Sequence, residues 1–355
     1  MKKIVLTGGG TAGHVTPNIA LLPSLKAAGY DVRYIGSYDG IEKQLIEAEG
    51  ITYYGISSGK LRRYIDLKNL TDPFKVVKGL AEAKKILKQL RPSIVFSKGG
   101  FVSVPVVLAA KMLKIPVIIH ESDMTPGLAN KIAIPAATKV CCNFPETLSH
   151  LPEGKAVLTG SPIREELMKG NNLAGRQFLG FTDEKPIIMV MGGSIGSVFI
   201  NNAVRESLDT LLEKYQIVHL CGKNNLDPSL NERKGYRQFE YISSELADVF
   251  AAADMLVSRA GANSICEILA LHKPNILIPL SMAASRGDQI LNAASFEKQG
   301  YSIVLQEEDV TASSLTEAIQ KLDNEKDHFI SNMKSSGQLN AIDTIMNLIN
   351  SSSNS

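Results

Sequence analysis

Apolar positions along this chain follow two alternating periods. Short runs rich in Val, Ile and Leu, at 4–7, 31–35, 93–96, 117–120, 139–142 and 157–160, are apolar on both faces. Between several of them lie longer stretches whose apolar residues recur three and four apart, at 17–28, 72–89 and 104–113. Strands buried on both faces and separated by helices predict a parallel sheet covered by helices on each side. The fold class is α/β.

The pattern begins again near residue 185. A strand over 185–191 runs into Gly192-Gly193-Ser194-Ile195-Gly196, a helix over 201–214 follows, and a second strand spans 217–222. The opening of the chain has the same plan: a strand, Gly8-Gly9-Gly10-Thr11-Ala12-Gly13, a helix, and a strand ending at Gly36. From first loop glycine to closing glycine is 28 positions in the first unit and 30 in the second. The restart predicts two Rossmann-like, doubly wound parallel-sheet halves, each opening with a glycine turn. The expected boundaries are 1–161 and 162–350, with the last helical pattern at 327–350 free to pack back on the first domain. Residues 351–355, Ser-Ser-Ser-Asn-Ser, read as a disordered tail.

The first glycine turn fits G-x-G-x-x-G between a strand and a helix, the form that lets backbone N–H groups approach an anion. A dinucleotide site also needs an acid at the end of the second strand, and Ile35-Gly36-Ser37 supplies none. That absence weighs against a nicotinamide-dependent reading, and a tight turn without a ligand is the plain alternative. His14 follows directly, at a helix start on the carboxyl edge of the sheet, where α/β proteins bind ligands. An ordinary imidazole there can take a proton near neutral pH. In a third glycine turn, Ser97-Lys98-Gly99-Gly100-Phe101, Lys98 reads equally as a phosphate contact or a solvated loop lysine.

The second half carries a strand over 255–258, the loop Arg259-Ala260-Gly261-Ala262-Asn263, and a helix opening near Ser264 with Glu267 in its first turn. Asn263 or Ser264 can cap that helix, with Glu267 completing a capping box. Alternatively its free N–H groups hold a diphosphate while Glu267 accepts from ribose hydroxyls. Gln289, after Arg286-Gly287-Asp288, and Ser194 offer polar contacts to the same edge. The chain contains no Asp-x-Asp, so neutralisation of a leaving diphosphate falls to helix dipoles and basic side chains. No metal and no cofactor is expected.

Composition narrows the partners. With 38 basic and 36 acidic residues, the formal charge is +2, which argues against a general nucleic-acid binder. Locally, 60–91 carries an excess of seven positive charges and leaves the remainder at −5. Phe74, Val77 and Leu80 recur there every third position, with Lys75 and Lys78 beside them. Leu61, Tyr64 and Ile65 are interleaved with Lys60, Arg62 and Arg63. Such a segment is either an amphipathic helix packed on its sheet or a surface that docks on anionic lipid. The four cysteines make no paired spacing and read as reduced cytosolic thiols. The N-terminal apolar run is too short for a signal peptide, and 101–119 is broken by Lys111, Lys114 and two prolines, so no transmembrane helix is expected.

Taken together, Gly8 to Pro17, Gly99-Gly100-Phe101-Val102-Ser103, His120-Glu121, Gly160-Ser161-Pro162-Ile163-Arg164, Gly192-Gly193-Ser194, Arg259-Ala260-Gly261 with Glu267, and Gly287-Asp288-Gln289 resemble the MurG family. These are the peripheral N-acetylglucosaminyltransferases of bacterial peptidoglycan synthesis. The resemblance implies a GT-B fold, two Rossmann-like domains facing a cleft. It also implies transfer of N-acetylglucosamine from UDP-N-acetylglucosamine to the 4-hydroxyl of the N-acetylmuramoyl unit of lipid I, the undecaprenyl-diphosphate-linked pentapeptide acceptor. The reaction would proceed with inversion, yield lipid II and UDP, and take place on the cytoplasmic face of the plasma membrane. By the same resemblance, Thr11, Ala12 and Gly13 line the donor sugar and the acceptor's approach. Arg164, Ser194, Ile242, the segment 262–267 (Ala262, Asn263, Ser264 and Glu267 included) and Gln289 hold the nucleotide sugar. Glu267 takes the ribose, and His14 is the leading base. Three positions depart from the family pattern. Ala12 stands for a usual glycine, Ser122-Asp123 for Gln-Asn, with Asp123 carried over as a sugar contact, and Ile195 for a common glutamine. The competing readings are a UDP-N-acetylglucosamine 2-epimerase, a diacylglycerol glycosyltransferase, and a non-catalytic sugar-nucleotide-binding subunit.

Overall fold

A computed structural model describes residues 2–59, 72–181, 185–193, 196–282, 287–336 and 340–353, with side chains from residue 75 in the second stretch. The chain divides into two compact units: residues 1–164 with 338–355, and residues 165–337.

Unit one is built on a seven-stranded sheet. Its strands are β1 (Lys3–Thr7), β2 (Asp31–Ser37), β3 (Thr52–Ile56), β4 (Ile94–Ser97), β5 (Val117–Glu121), β6 (Lys139–Cys142) and β7 (Ala156–Leu158). They lie in the order β3-β2-β1-β4-β5-β6-β7, and every pairing is parallel. Alternate residues serve opposite faces. Val5, Ile35, Val95, Ile119 and Val140 pack with Ala83, Leu87 and Val106 in one core. Ile4, Leu6, Tyr34, Phe96 and Ile118 pack with Leu21, Leu25, Ile345 and Ile349 in the other. Those last two residues belong to the helix Ala341–Ser352, so the end of the chain completes the core of unit one.

That helix corrects two expectations. The pattern read over 327–350 is the end of one helix, Ala312–Lys334, and most of a second, Ala341–Ser352. Residues 351–353 are ordered, because the Tyr30 hydroxyl reaches Asn350 Oδ1 and Ser353 Oγ, each at 2.9 Å. The helical pattern at 17–28 is likewise two short helices, Thr16–Ala20 and Leu22–Ala27, the second with a proline in its first turn.

Unit two repeats the plan with six parallel strands: β8 (Ile187–Met191), β9 (Gln216–Leu220), β10 (Tyr236–Phe239), β11 (Met255–Ser258), β12 (Asn275–Leu277) and β13 (Ile303–Val304). Their order is β10-β9-β8-β11-β12-β13. In both sheets the strand order reverses once, beside β1 and β4 in unit one and beside β8 and β11 in unit two. Doubly wound sheets bind ligands at the carboxyl ends of the strands, at that reversal. Among the described residues no helix is long and apolar enough to cross a membrane.

Candidate active site

In unit one the reversal is formed by two glycine turns in backbone contact. Gly100, at φ +82°, lies where an added Cβ would sit 2.3 Å from the Gly9 carbonyl oxygen, so the turn after β4 packs on the turn after β1 only without a side chain. Asn18 and Tyr34 hold the first turn from below: Asn18 Nδ2 donates to Thr7 O at 3.3 Å, and the Tyr34 hydroxyl to Gly8 O at 2.7 Å.

His14 ends the 3-10 turn Ala12–His14 on this edge and is half-buried. Its Nδ1 lies 3.1 Å from Thr11 Oγ1. Burial first, then the Lys98 charge, lowers its pKa to about 4, against the opposing pull of the Gly9 backbone and Glu42. The ring is therefore neutral near pH 7, the state in which it accepts a proton. Thr11 is exposed, and Ala12 and Gly13 are half-buried on the same turn.

Lys98 is not a solvated loop lysine. It is 1% exposed, and its Nζ donates to His120 Nδ1 at 2.8 Å and to Ser122 Oγ. The other His120 nitrogen, Nε2, faces Gly160 O at 2.8 Å, so Nε2 carries the proton and Nδ1 accepts. Glu121 organises the next loop, accepting from Asp123 N at 3.0 Å, Gly127 N at 3.1 Å and Asn130 Nδ2 at 2.8 Å. Asp123 is thereby held half-buried on the carboxyl edge that also carries His14, and Arg164 is the last residue of unit one before the chain crosses over.

Sequence reasoning missed Glu42. The end of β2 itself has no carboxylate, yet Glu42, five residues further on, folds back to that place and is fully buried. It accepts from Ser37 N at 3.0 Å and Gly10 N at 3.2 Å. The signal was present in the glycines: a Cβ on Gly9, Gly36 or Gly40 would lie within 3 Å of the Glu42 side chain.

Unit two gathers a second set. The helix Ala262–Ala270 starts ahead of Ser264, with Gly261 as its N-cap residue and no side chain capping it. The capping-box expectation fails here, because extended Gly261 turns the chain early and draws Asn263 and Ser264 into the first turn. A helix opening without a side-chain cap presents backbone donors and positive dipole charge to an anion. Ala262, Asn263, Ser264 and Glu267 are all half-buried there. Gln289, in the first turn of Asp288–Lys298, accepts the Leu280 N–H at 3.1 Å, and Ile242 follows the end of the edge strand β10. Ser194 and Ile195 lie outside the described residues.

Arg259 ties these loops together. Its guanidinium donates to Ser197 Oγ at 2.8 Å, to Ile278 O and Pro279 O at 3.2 Å, and to the Glu307 carboxylate. Glu307 in turn accepts the Ser281 N–H at 3.1 Å. Burial disfavours its charge, but the hydrogen bonds from Arg259 and Ser281 outweigh that and lower its pKa.

The apolar stripe read at 74–80 divides. In the helix Asp72–Leu90, Leu80 packs against the core of unit one, while Val77 is 66% exposed and Lys75 and Lys78 are exposed beside it. The side chain of Phe74 and the segment 60–71 lie outside the described residues.

The chain thus consists of two doubly wound units with glycine turns at their reversals, one carrying a half-buried histidine and the other a helix N-terminus without a side-chain cap. The N-terminal domain of glycosyltransferase family 28 matches residues 4–142 and the C-terminal domain of that family matches 187–349, so the chain belongs to glycosyltransferase family 28. Within it, the chain is 67% identical over 353 residues to the UDP-N-acetylglucosamine--N-acetylmuramyl-(pentapeptide) pyrophosphoryl-undecaprenol N-acetylglucosamine transferase of Lachnospira eligens, covering 99% of this chain and 100% of that one. It is 63% identical to the protein of the same name in Lachnoclostridium phytofermentans, over 98% of each. The crystal structure of Acinetobacter baumannii MurG superposes with a TM-score of 0.78 at 26% identity, over 99% of this chain and 100% of that one.

Proposed function

We infer that this chain transfers N-acetylglucosamine from UDP-N-acetylglucosamine to the 4-hydroxyl of the N-acetylmuramoyl unit of lipid I, with inversion, forming lipid II and UDP for peptidoglycan. The observation that carries this reading is the 67% identity, over essentially the whole chain, to a transferase named for that reaction. Inverting transfer is an in-line displacement at an anomeric carbon with oxocarbenium character. It needs a base for the acceptor proton and stabilisation of the departing diphosphate. Neutral His14 on unit one suits the first task. The helix opening at Ala262 suits the second, with Glu267 toward the ribose and Ser194, Arg164, Ile242 and Gln289 completing the nucleotide-sugar contacts. Thr11, Ala12, Gly13 and Asp123 line the sugar and acceptor side.

The acceptor is lipid-linked, so the enzyme works as a peripheral protein on the cytoplasmic leaflet. Lys75 and Lys78 face anionic headgroups, and exposed Val77 supplies the apolar contact beside them. The test is transfer of radiolabelled sugar from UDP-N-acetylglucosamine to a lipid I analogue. Labelled lipid II and UDP are expected, and His14→Ala should lower kcat by about 100- to 10,000-fold with the fold retained. Release of UDP-N-acetylmannosamine without acceptor, or full turnover by His14→Ala, would overturn the reading.

A further inference from the structure

Gly10 is where the first glycine turn comes to the surface. It is exposed, at φ +87°, and an added Cβ would meet open space. Its N–H is nonetheless taken up by the protein itself, by Glu42 Oε2 at 3.2 Å. In a dinucleotide fold the amides of such a turn meet a ligand's pyrophosphate. Here a side chain of the same chain receives this one. Glu42 comes from the first turn of the helix Ile41–Ala48 and is fully buried. Its other oxygen, Oε1, accepts the Ser37 N–H at 3.0 Å and the Ser37 hydroxyl at 2.5 Å. Ser37 is fixed in turn, because the Tyr53 hydroxyl donates to its carbonyl oxygen at 2.5 Å. Three glycines shape the seat. A Cβ would lie 2.5 Å from Glu42 Cδ on Gly9, 2.3 Å from it on Gly40, and 2.9 Å from Glu42 Cγ on Gly36.

The residue after Gly10 touches the candidate base. Thr11 Oγ1 lies 3.1 Å from His14 Nδ1, and Thr11 O accepts the His14 N–H at 3.1 Å. On the near side of the turn, Asn18 and Tyr34 hold Thr7 O and Gly8 O. On the far side, Ala12 O accepts Val15 N at 2.9 Å and Thr16 Oγ1 at 3.1 Å. Between these anchors stands a left-handed glycine with no side chain to pack, and the Glu42 bond ties it down.

We propose that Glu42 is a positioning residue for His14: as an internal ligand of the first glycine turn it fixes Gly10, and through Gly10 the Thr11 hydroxyl and the ring paired with it. The role rests on His14 acting as the base.

Pre-organisation is the physical reason. A swing at Gly10 would carry Thr11 and the His14 ring away together. A general base works only within hydrogen-bond reach of the proton it takes, and a misplacement of about 1 Å costs about 100-fold in rate. A buried carboxyl group held through both oxygens is a stiff support, because leaving its seat would strand it in the interior without its partners.

The experiment measures kcat and KM for both substrates, with thermal melting, in the full chain as wild type, Glu42→Gln, His14→Ala and the double variant. Glutamine keeps the volume but sets an NH2 group against one of the two backbone donors, so one of those bonds is lost. In Glu42→Gln kcat falls about 10- to 100-fold, with KM for UDP-N-acetylglucosamine unchanged. On the His14→Ala background the same substitution costs kcat nothing further, since no ring is left to place. A merely structural loss would lower both backgrounds alike. Should Glu42→Gln not fold, Gly40→Ala carries the same measurement. Its backbone, at φ −80° and ψ 159°, suits alanine, and the new Cβ would push the carboxyl group from its seat. A wild-type kcat in the folded variant, or an equal loss with and without His14, overturns the proposal and leaves the base in place. Full turnover by His14→Ala alone removes the base, and this proposal with it.

Discussion

Arg259 and Glu307 stand 48 residues apart in the chain and meet at the carboxyl edge of unit two, with side chains only 9% and 14% exposed. Taking one partner from a buried pair leaves a charge without compensation, which costs about 3 kcal/mol or more. Glu307→Ala should therefore lower the urea midpoint of unfolding by that equivalent and raise KM for UDP-N-acetylglucosamine, since the same guanidinium braces Ser197 and the 278–279 backbone. A destabilised variant with unchanged KM would show that the brace has no part in donor binding. Residues in glycine motifs, such as His14 and the 262–267 segment, were legible from their neighbours along the chain. Glu307 and the contact of Glu42 to Gly10 were not, because they join segments 48 and 32 residues apart, and no local pattern reports a long-range hydrogen bond.

Helices show what period alone leaves open. In Asp72–Leu90 the three-residue spacing of Phe74, Val77 and Leu80 fits one stripe, but packing turns the helix so that Gly79 and Leu80 face inward. A Cβ on Gly79 would lie 2.0 Å from Ser57 O, so this face approaches the loop after β3 as closely as a helix can. Glu82 strengthens the contact by accepting the Ser57 N–H at 2.6 Å. Val77, Lys75 and Lys78 are left outward, with Lys78 3.8 Å from Glu82. Basic residues near an anionic surface contribute about 1 kcal/mol each. Lys75→Glu with Lys78→Glu should thus weaken co-sedimentation with anionic vesicles by tenfold or more, at about 2 kcal/mol lost or greater, and leave neutral vesicles unaffected. Equal binding to both vesicle types by the parent chain would exclude this face as the docking surface. Strand β3 escaped the sequence reading for a related reason: an edge strand that is mostly half-exposed carries no continuous apolar run.

At the scale of the whole molecule, two buried histidines, His120 and His219, and half-buried His14 couple the fold to pH. His14 and His219 have pKa values lowered to about 4 and about 3, and His120 lies well below 6.5, in each case chiefly through burial. The unfolded chain binds protons on these rings below about pH 6.5 and the native chain does not, so stability is full above that pH and falls as the pH drops through the window. A loss on the order of a few kcal/mol by about pH 4 is expected in urea titrations, and His219→Gln should flatten the slope. The end of the chain is a second lever. Ile345, Met346 and Ile349 are buried in unit one, so truncation before Ala341 should cost about 5 kcal/mol or more, seen as a lower melting temperature and rapid proteolysis of that unit. By itself the amino-acid sequence determined the α/β class, the repeated glycine turns, the two halves and the residues of those turns, because period and glycine placement are local properties of the backbone. Only the tertiary structure decided that residues 338–355 belong to the first unit, that Lys98 is buried beside His120, and that Glu42 accepts from Gly10 in the first glycine turn. Each of those facts is a pairing between distant segments, and its energy exists only once the core has brought them together.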